Sequence, residues 1–180
     1  MKKKNLRNKL WTLVLFLIKF NLLAIPMYLV IFLNFSYPPL QNFLTELTYR
    51  NLNLLGYHSS LVASPESEVP LIYFSDNFPK VQISWDSTGW KSMYALLALT
   101  LATPLSNLKR KAKFLIIGIP AIFLLNYLRI ITTILISLNF GIQCFEIVHT
   151  LLWREGLILI IILLWYIWLR KQNIIKKLML

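Results

Sequence analysis

The chain has 180 residues, 57% of them hydrophobic and only 14% charged, with a mean hydropathy of +0.62. Soluble domains run near 45–50% apolar and about 25% charged, so this composition excludes an ordinary soluble domain and fits a single membrane domain. The formal net charge of +12 is distributed between apolar runs, which argues for a membrane-orientation signal and against nucleic-acid binding, and the lone cysteine, Cys144, excludes an intrachain disulfide.

A membrane crossing needs roughly 20 predominantly apolar residues to traverse about 30 Å of hydrocarbon. Four stretches meet that requirement. The sequence therefore predicts an all-α integral membrane protein with about four transmembrane helices and one long extracytoplasmic segment. The first span runs from about Leu10 to Leu33, behind the basic stretch MKKKNLRNK. That beginning is like a signal peptide, but the apolar run is too long and no small-x-small site follows, so a retained anchor is expected. Lys19, inside the run, is expected to snorkel to the inner surface.

The long connection covers about Asn34 to Asp86, and connections of that length are usually functional. Leu40, Phe43, Leu44 and Leu47 recur at helical spacing, which predicts a short amphipathic helix at the outer membrane interface. Pro65, Pro70 and Pro79 exclude a long helix further on. Val81, Ile83 and Trp85 alternate with Gln82, Ser84 and Asp86, predicting a short extended segment before the second span. The remaining spans are expected at about Ser87 to Leu105, Phe114 to Leu138 and Trp153 to Leu169. There is no internal repeat, zinc-ligand spacing, P-loop or dinucleotide-binding glycine pattern, so neither a metal nor a cofactor is expected.

Lys and Arg favour cytoplasmic loops. Thirteen of the nineteen lie in the N-terminal stretch, in the loop of Lys109, Arg110, Lys111 and Lys113, or in the C-terminal stretch. All seven acidic residues fall on the opposite side. Both termini are thus expected in the cytoplasm of a multi-pass cell-membrane protein.

Charge inside a bilayer is costly and points to function. At about 1.5 Å of rise per residue, Arg129 lies some 22 Å above the inner end of its span, within about 8 Å of the outer surface. Asn126 is one turn below it on the same face. The same rise puts Ser87 roughly 27 Å and His149 about 30 Å above the inner ends of their spans. Three helices thus bring a hydroxyl, a guanidinium and an imidazole to nearly one depth, a set suited to nucleophilic attack, oxyanion stabilisation and proton transfer. Each residue alone also has a plain structural reading. Arg129 would snorkel to phosphates, His149 would sit idle at the interface, and Ser87 and Thr88 would cap the second helix, with Gly89 and Trp90 in its first turn.

The segments SWDSTGWKSM and NYLRIITTILI, followed by the His149 region, resemble the exosortase/archaeosortase family over about Val81 to Leu169. The family pattern is a nucleophilic cysteine followed by a small residue and glycine, then Asn-x-x-Arg with an aliphatic residue, then a His or Arg near the next outer helix end. Thr88-Gly89, Asn126 with Arg129-Ile130, and His149 match it in order. The resemblance implies a membrane transpeptidase or protease acting on exported proteins that carry C-terminal sorting signals. Its partners would be such a membrane-anchored substrate, a lipid or other amine or hydroxyl acceptor, and the surrounding lipids. By resemblance, residue 87 attacks the peptide carbonyl, Arg129 stabilises the oxyanion and His149 protonates the leaving amine, with Thr88, Gly89 and Asn126 in support.

The departure is Ser87, which stands at the family's cysteine position. A hydroxyl is far less acidic than a thiol and needs an adjacent base. An engineered replacement that traps substrate, a natural serine variant and a relative that binds without turnover all fit the sequence. So does a Ser-Lys peptidase, because Lys91 follows Ser87 by four residues, one turn along a shared helix face. A cysteine nucleophile at Cys144, near His149, is a weaker rival. A non-catalytic membrane assembly subunit is the alternative outside catalysis, and His58 has no identifiable partner.

Overall fold

A computed structural model of the chain describes residues 2–74, 80–104, 106–143 and 155–172. In chain order the elements are helices α1 (Lys2–Phe32) and α2 (Pro38–Leu54), strands β1 (Ser60–Val62) and β2 (Leu71–Tyr73), a 3-10 turn at Trp85–Thr88, and helices α3 (Trp90–Ala102), α4 (Leu108–Phe140) and α5 (Glu155–Lys171). The fold is mostly helical, as expected. Two helical stretches, Arg7–Phe32 and Leu108–Phe140, have the length and hydropathy to cross a membrane. The expected second span is shorter than the composition suggested, because α3 begins only at Trp90 and ends at Ala102. Its 13 residues extend only about 20 Å at the helical rise.

The chain forms two compact units. One comprises Met1–Phe35, Lys91–Ile122 and Ile158–Leu180. Its interior is aliphatic and aromatic: Leu96, Leu115, Ile122 and Ile161 form a buried cluster, edged by Phe114 and Trp165. A Cβ on Gly118 would lie 2.9 Å from Leu96 Cδ2, so a side chain there would displace the end of Leu96. Several polar groups in this apolar setting are tied down, as burial without a partner would be costly. Tyr94 Oη donates to the Leu23 carbonyl at 2.7 Å, and Trp165 Nε1 donates to Thr103 Oγ1 at 2.9 Å. Lys111 Nζ donates to the Leu101 carbonyl at 2.7 Å, closing off one of the carbonyls that the end of α3 leaves unsatisfied.

The other unit comprises Ser36–Trp90 and Phe123–Leu157 and contains the candidate site. Its core is Leu44 and Leu52 of α2, Ile83 of the extended segment, and Ile130, Ile131 and Ile134 of α4. Helix α2 starts with prolines at its first turn, where a missing N–H costs nothing. The amphipathic helix is therefore present, and the structure adds the face that packs inward. Its buried face is Gln41, Leu44, Thr45, Thr48 and Leu52, whereas Phe43 is 54% exposed. The stripe is partly polar because this face meets α4 and the extended segment through hydrogen bonds as well as apolar contact. Asn51 Nδ2 donates to Tyr127 Oη at 2.6 Å, Tyr127 Oη reaches the Leu47 carbonyl at 3.1 Å, and Gln41 Nε2 donates to the Ile83 carbonyl at 3.0 Å.

The expectation of an all-α chain needs one correction. Strands β1 and β2 pair antiparallel, Leu61 opposite Ile72, and Val81 bridges to Ile72 on the other side. Pro65 and Pro70 lie between the strands, in the turn region where proline is tolerated. The alternation from Val81 to Ser84 is observed: Ile83 is buried, while Gln82 and Ser84 are exposed. Trp85 ends it by starting the 3-10 turn.

Gln41→Leu removes the donor for the Ile83 carbonyl while keeping volume, so it is expected to cost about 1–3 kcal/mol. Thermal unfolding of the purified chain in detergent measures this. Phe43→Ala on the opposite face is expected to change stability by less than about 0.5 kcal/mol.

Candidate active site

Ser87 is presented on a tight 3-10 turn, not on the first turn of a transmembrane helix. Ser84 is the N-cap of the turn, its side chain accepting from the Ser87 N–H at 3.3 Å, while the Ser84 carbonyl accepts from the same N–H at 3.0 Å. Serine is favoured at such a position because its hydroxyl satisfies an otherwise unpaired amide. Thr88 is fully buried and donates through Oγ1 to the Trp85 carbonyl at 2.8 Å. Trp85 and Trp90 stack across the turn, ring centres 5.5 Å apart. An aromatic pair of this kind adds about 0.5–1.5 kcal/mol beyond its buried area.

Gly89 ends the turn in the left-handed conformation, at φ +82°. A side chain is disfavoured there on backbone grounds. It is also excluded by contact: a Cβ at Gly89 would lie 2.6 Å from Asn126 Cγ and 2.8 Å from its Nδ2. The small residue-glycine pair of the sequence thus has a double reason, since the turn must reverse and must also let α4 approach.

Asn126 fills that space and is fully buried. Its Nδ2 donates to the Ser87 carbonyl at 2.8 Å, and its Oδ1 accepts from Arg129 Nη1 at 3.3 Å. The two bonds fix the amide orientation, since only the nitrogen can donate and only the oxygen can accept. Asn126 and Arg129, three residues apart on α4, lie on one helix face, as their sequence spacing predicted. Ser87 and Arg129 both line a cavity of about 60 Å³, whose other walls are Val81, Gln82, Ile83, Ile130, Thr133 and Ile134.

The Ser87 hydroxyl lies 2.9 Å from the Ser84 hydroxyl. Because Ser84 Oγ already accepts the Ser87 N–H, the contact holds the Ser87 side chain in one rotamer. Ser84 was not singled out by the sequence. A serine three residues ahead of Ser87, at the end of an extended run, is the capping signal that would have found it. Gln41, which fixes the Ile83 carbonyl four residues before Ser87, left no such local signal.

The helical relation between Ser87 and Lys91 does not hold. The two lie on different elements, the 3-10 turn and α3, with left-handed Gly89 between them. This removes the geometric basis of the Ser-Lys reading. His149 and Cys144 lie outside the described residues. His58 is exposed. Among the described residues no three His, Cys, Asp or Glu side chains come together as a metal site.

The transmembrane exosortase family model matches residues 6–152. That stretch contains Ser87, Thr88, Gly89, Asn126, Arg129 and His149. No curated protein and no solved structure matches the chain.

Gly89→Ala is expected to push Asn126 from its place and strain the turn by about 1–3 kcal/mol. Asn126→Leu is expected to leave the Ser87 carbonyl and the Arg129 guanidinium without this bridge. Both are expected to alter the reactivity of residue 87, read as the labelling rate of a Ser87→Cys, Cys144→Ser form by a thiol reagent. An unchanged rate in the Gly89→Ala form would show that the turn does not depend on the close approach.

Proposed function

Because the chain belongs to the transmembrane exosortase family, we propose that it is a membrane peptidase or transpeptidase that uses Ser87 to process C-terminal sorting signals of exported proteins at the outer membrane boundary. The observation that carries this reading is the short chain of contacts Ser84–Ser87–Asn126–Arg129, which holds a hydroxyl and a guanidinium on the wall of one cavity. Asn126 links the backbone of Ser87 to Arg129, so the turn and the guanidinium are held together on that wall.

In this reading Ser87 Oγ attacks the scissile carbonyl carbon, and its proton passes to the His149 imidazole. The negative oxygen that develops is met by Arg129. The C–N bond then breaks, and His149 returns the proton to the leaving amine. The acyl group, held as an ester on Ser87, passes to an amine, a hydroxyl or water. Serine requires this general base more than cysteine does, because its hydroxyl is not ionised near neutral pH. Thr88 and Gly89 shape the turn that carries Ser87, and Asn126 aligns it with Arg129.

The topology belongs to the same proposal: four spans, both termini cytoplasmic, and the 3-10 turn facing outward. A substrate with its own span and a basic tail would lie beside these helices and present its cleavage site at the depth of Ser87. Apolar α1 and α4 and the asymmetry of Lys and Arg support this orientation.

The test is processing of a co-expressed, exported reporter carrying a C-terminal sorting signal from the same cell. Arg129→Ala is expected to lower the rate by about 10²–10³-fold, as loss of an oxyanion donor does. Ser87→Ala is expected to abolish processing, and Ser87→Cys to retain it. An undiminished rate in Arg129→Ala, or any processing by Ser87→Ala, would overturn the mechanism. The orientation is checked separately with Ser87→Cys in a Cys144→Ser background. A membrane-impermeant thiol reagent is expected to label residue 87 in intact cells, and protection until lysis would refute the outward placement.

A further inference from the structure

The cavity beside Ser87 is small, and its walls differ in character. Val81, Ile83, Ile130 and Ile134 make it largely apolar, and Ser87 and Arg129 stand on the same wall set. A water needs roughly 10–15 Å³ of such space, so a cavity of about 60 Å³ holds about four waters, or a side chain of three or four heavy atoms. Thr133 also lines it, but its buried Oγ1 does not open onto the cavity.

We propose that this cavity is the side-chain pocket for the substrate residue that carries the scissile carbonyl, and that it selects a small apolar residue. The assignment rests on the peptidase reading of Ser87. The side chain on the acyl side is the one nearest the attacked carbon, and Ser87 itself forms part of the pocket wall. The four aliphatic walls favour alkyl groups, and Arg129, on the same wall, is engaged by Asn126 Oδ1.

Two measurements test this. The first needs no turnover. The purified full chain with Ser87→Cys and Cys144→Ser is reacted with methyl, propyl and benzyl methanethiosulfonates. Propyl is expected to react at least as fast as methyl, and benzyl about tenfold slower, as for a pocket that discriminates by a few carbons. Val81→Ala, which enlarges a partly exposed wall, is expected to recover the benzyl rate. Rates independent of size would overturn the pocket.

The second measurement uses the processed reporter in the Ser87 form. Mass spectrometry of the product is expected to find a small apolar residue at the cleavage carbonyl. Its replacement by phenylalanine is expected to stop processing, and Val81→Ala to restore part of it. If the reporter is never processed but the size series holds, the peptidase reading fails while the pocket stands. If the reporter is processed with no size preference, the pocket assignment fails while the peptidase reading stands.

Discussion

Asn126 is fully buried, and both ends of its amide are occupied, one by the Ser87 carbonyl and the other by Arg129. This places a severe demand on its surroundings, since a buried amide that lost either partner would destabilise the fold by an amount comparable to the hydrogen bond itself. The demand explains several residues that otherwise have no common reason. Gly89 has no side chain because Asn126 occupies the space where a Cβ would be. The left-handed turn at Gly89 stops the 3-10 turn from running on into α3, so Ser87 faces the cavity instead of joining a helix surface. Ile130 and Ile134, one turn apart on α4, belong both to the core and to the cavity wall, so core packing and cavity shape are set together.

The same constraint explains what was readable in the sequence. Asn126 and Arg129 were legible because a spacing of three residues has one meaning in a long apolar helix, and two polar groups in such a helix stand out. The transmembrane character of α1 and α4 was legible for the same reason, composition over a long window. Ser87 was legible as a position but not as a conformation. A Ser-Thr-Gly run fits a helix cap as well as a 3-10 turn, and the choice is made by Asn126, 39 residues later. The start of α3 at Trp90 follows from that choice, and with it the loss of the helical link to Lys91.

In α2 the sequence showed the helix and its apolar stripe but not the face that packs inward. Leu40, Phe43, Leu44 and Leu47 are the more apolar stripe, yet Gln41, Thr45 and Thr48 are buried. Periodicity registers hydrophobicity alone, whereas this face is chosen by hydrogen bonds: Gln41 to the Ile83 carbonyl, and Asn51 to Tyr127. The β1–β2 pair was hidden for a related reason. Its strands are three residues each, too short for alternation to be counted, and they are stabilised by pairing with each other and by the bridge to Val81.

Serine at residue 87 changes what the neighbouring groups must do. A thiolate forms readily and needs little orientation, but a hydroxyl attacks only when its proton has somewhere to go and its lone pair is directed. The Ser84 hydroxyl at 2.9 Å supplies direction, because its own oxygen is anchored by the backbone N–H of Ser87. It cannot supply basicity, since one alcohol does not deprotonate another of the same strength. In the proposed mechanism the turn answers one of the two requirements of a serine nucleophile and leaves the other to His149, the imidazole proposed as base. The division of labour separates a serine enzyme from a serine that merely replaces a cysteine. In the first, loss of the imidazole is more damaging with Ser87 than with cysteine at that position, because only the hydroxyl needs the base to attack. In the second, the residue at 149 makes no difference to a nucleophile that is already silent.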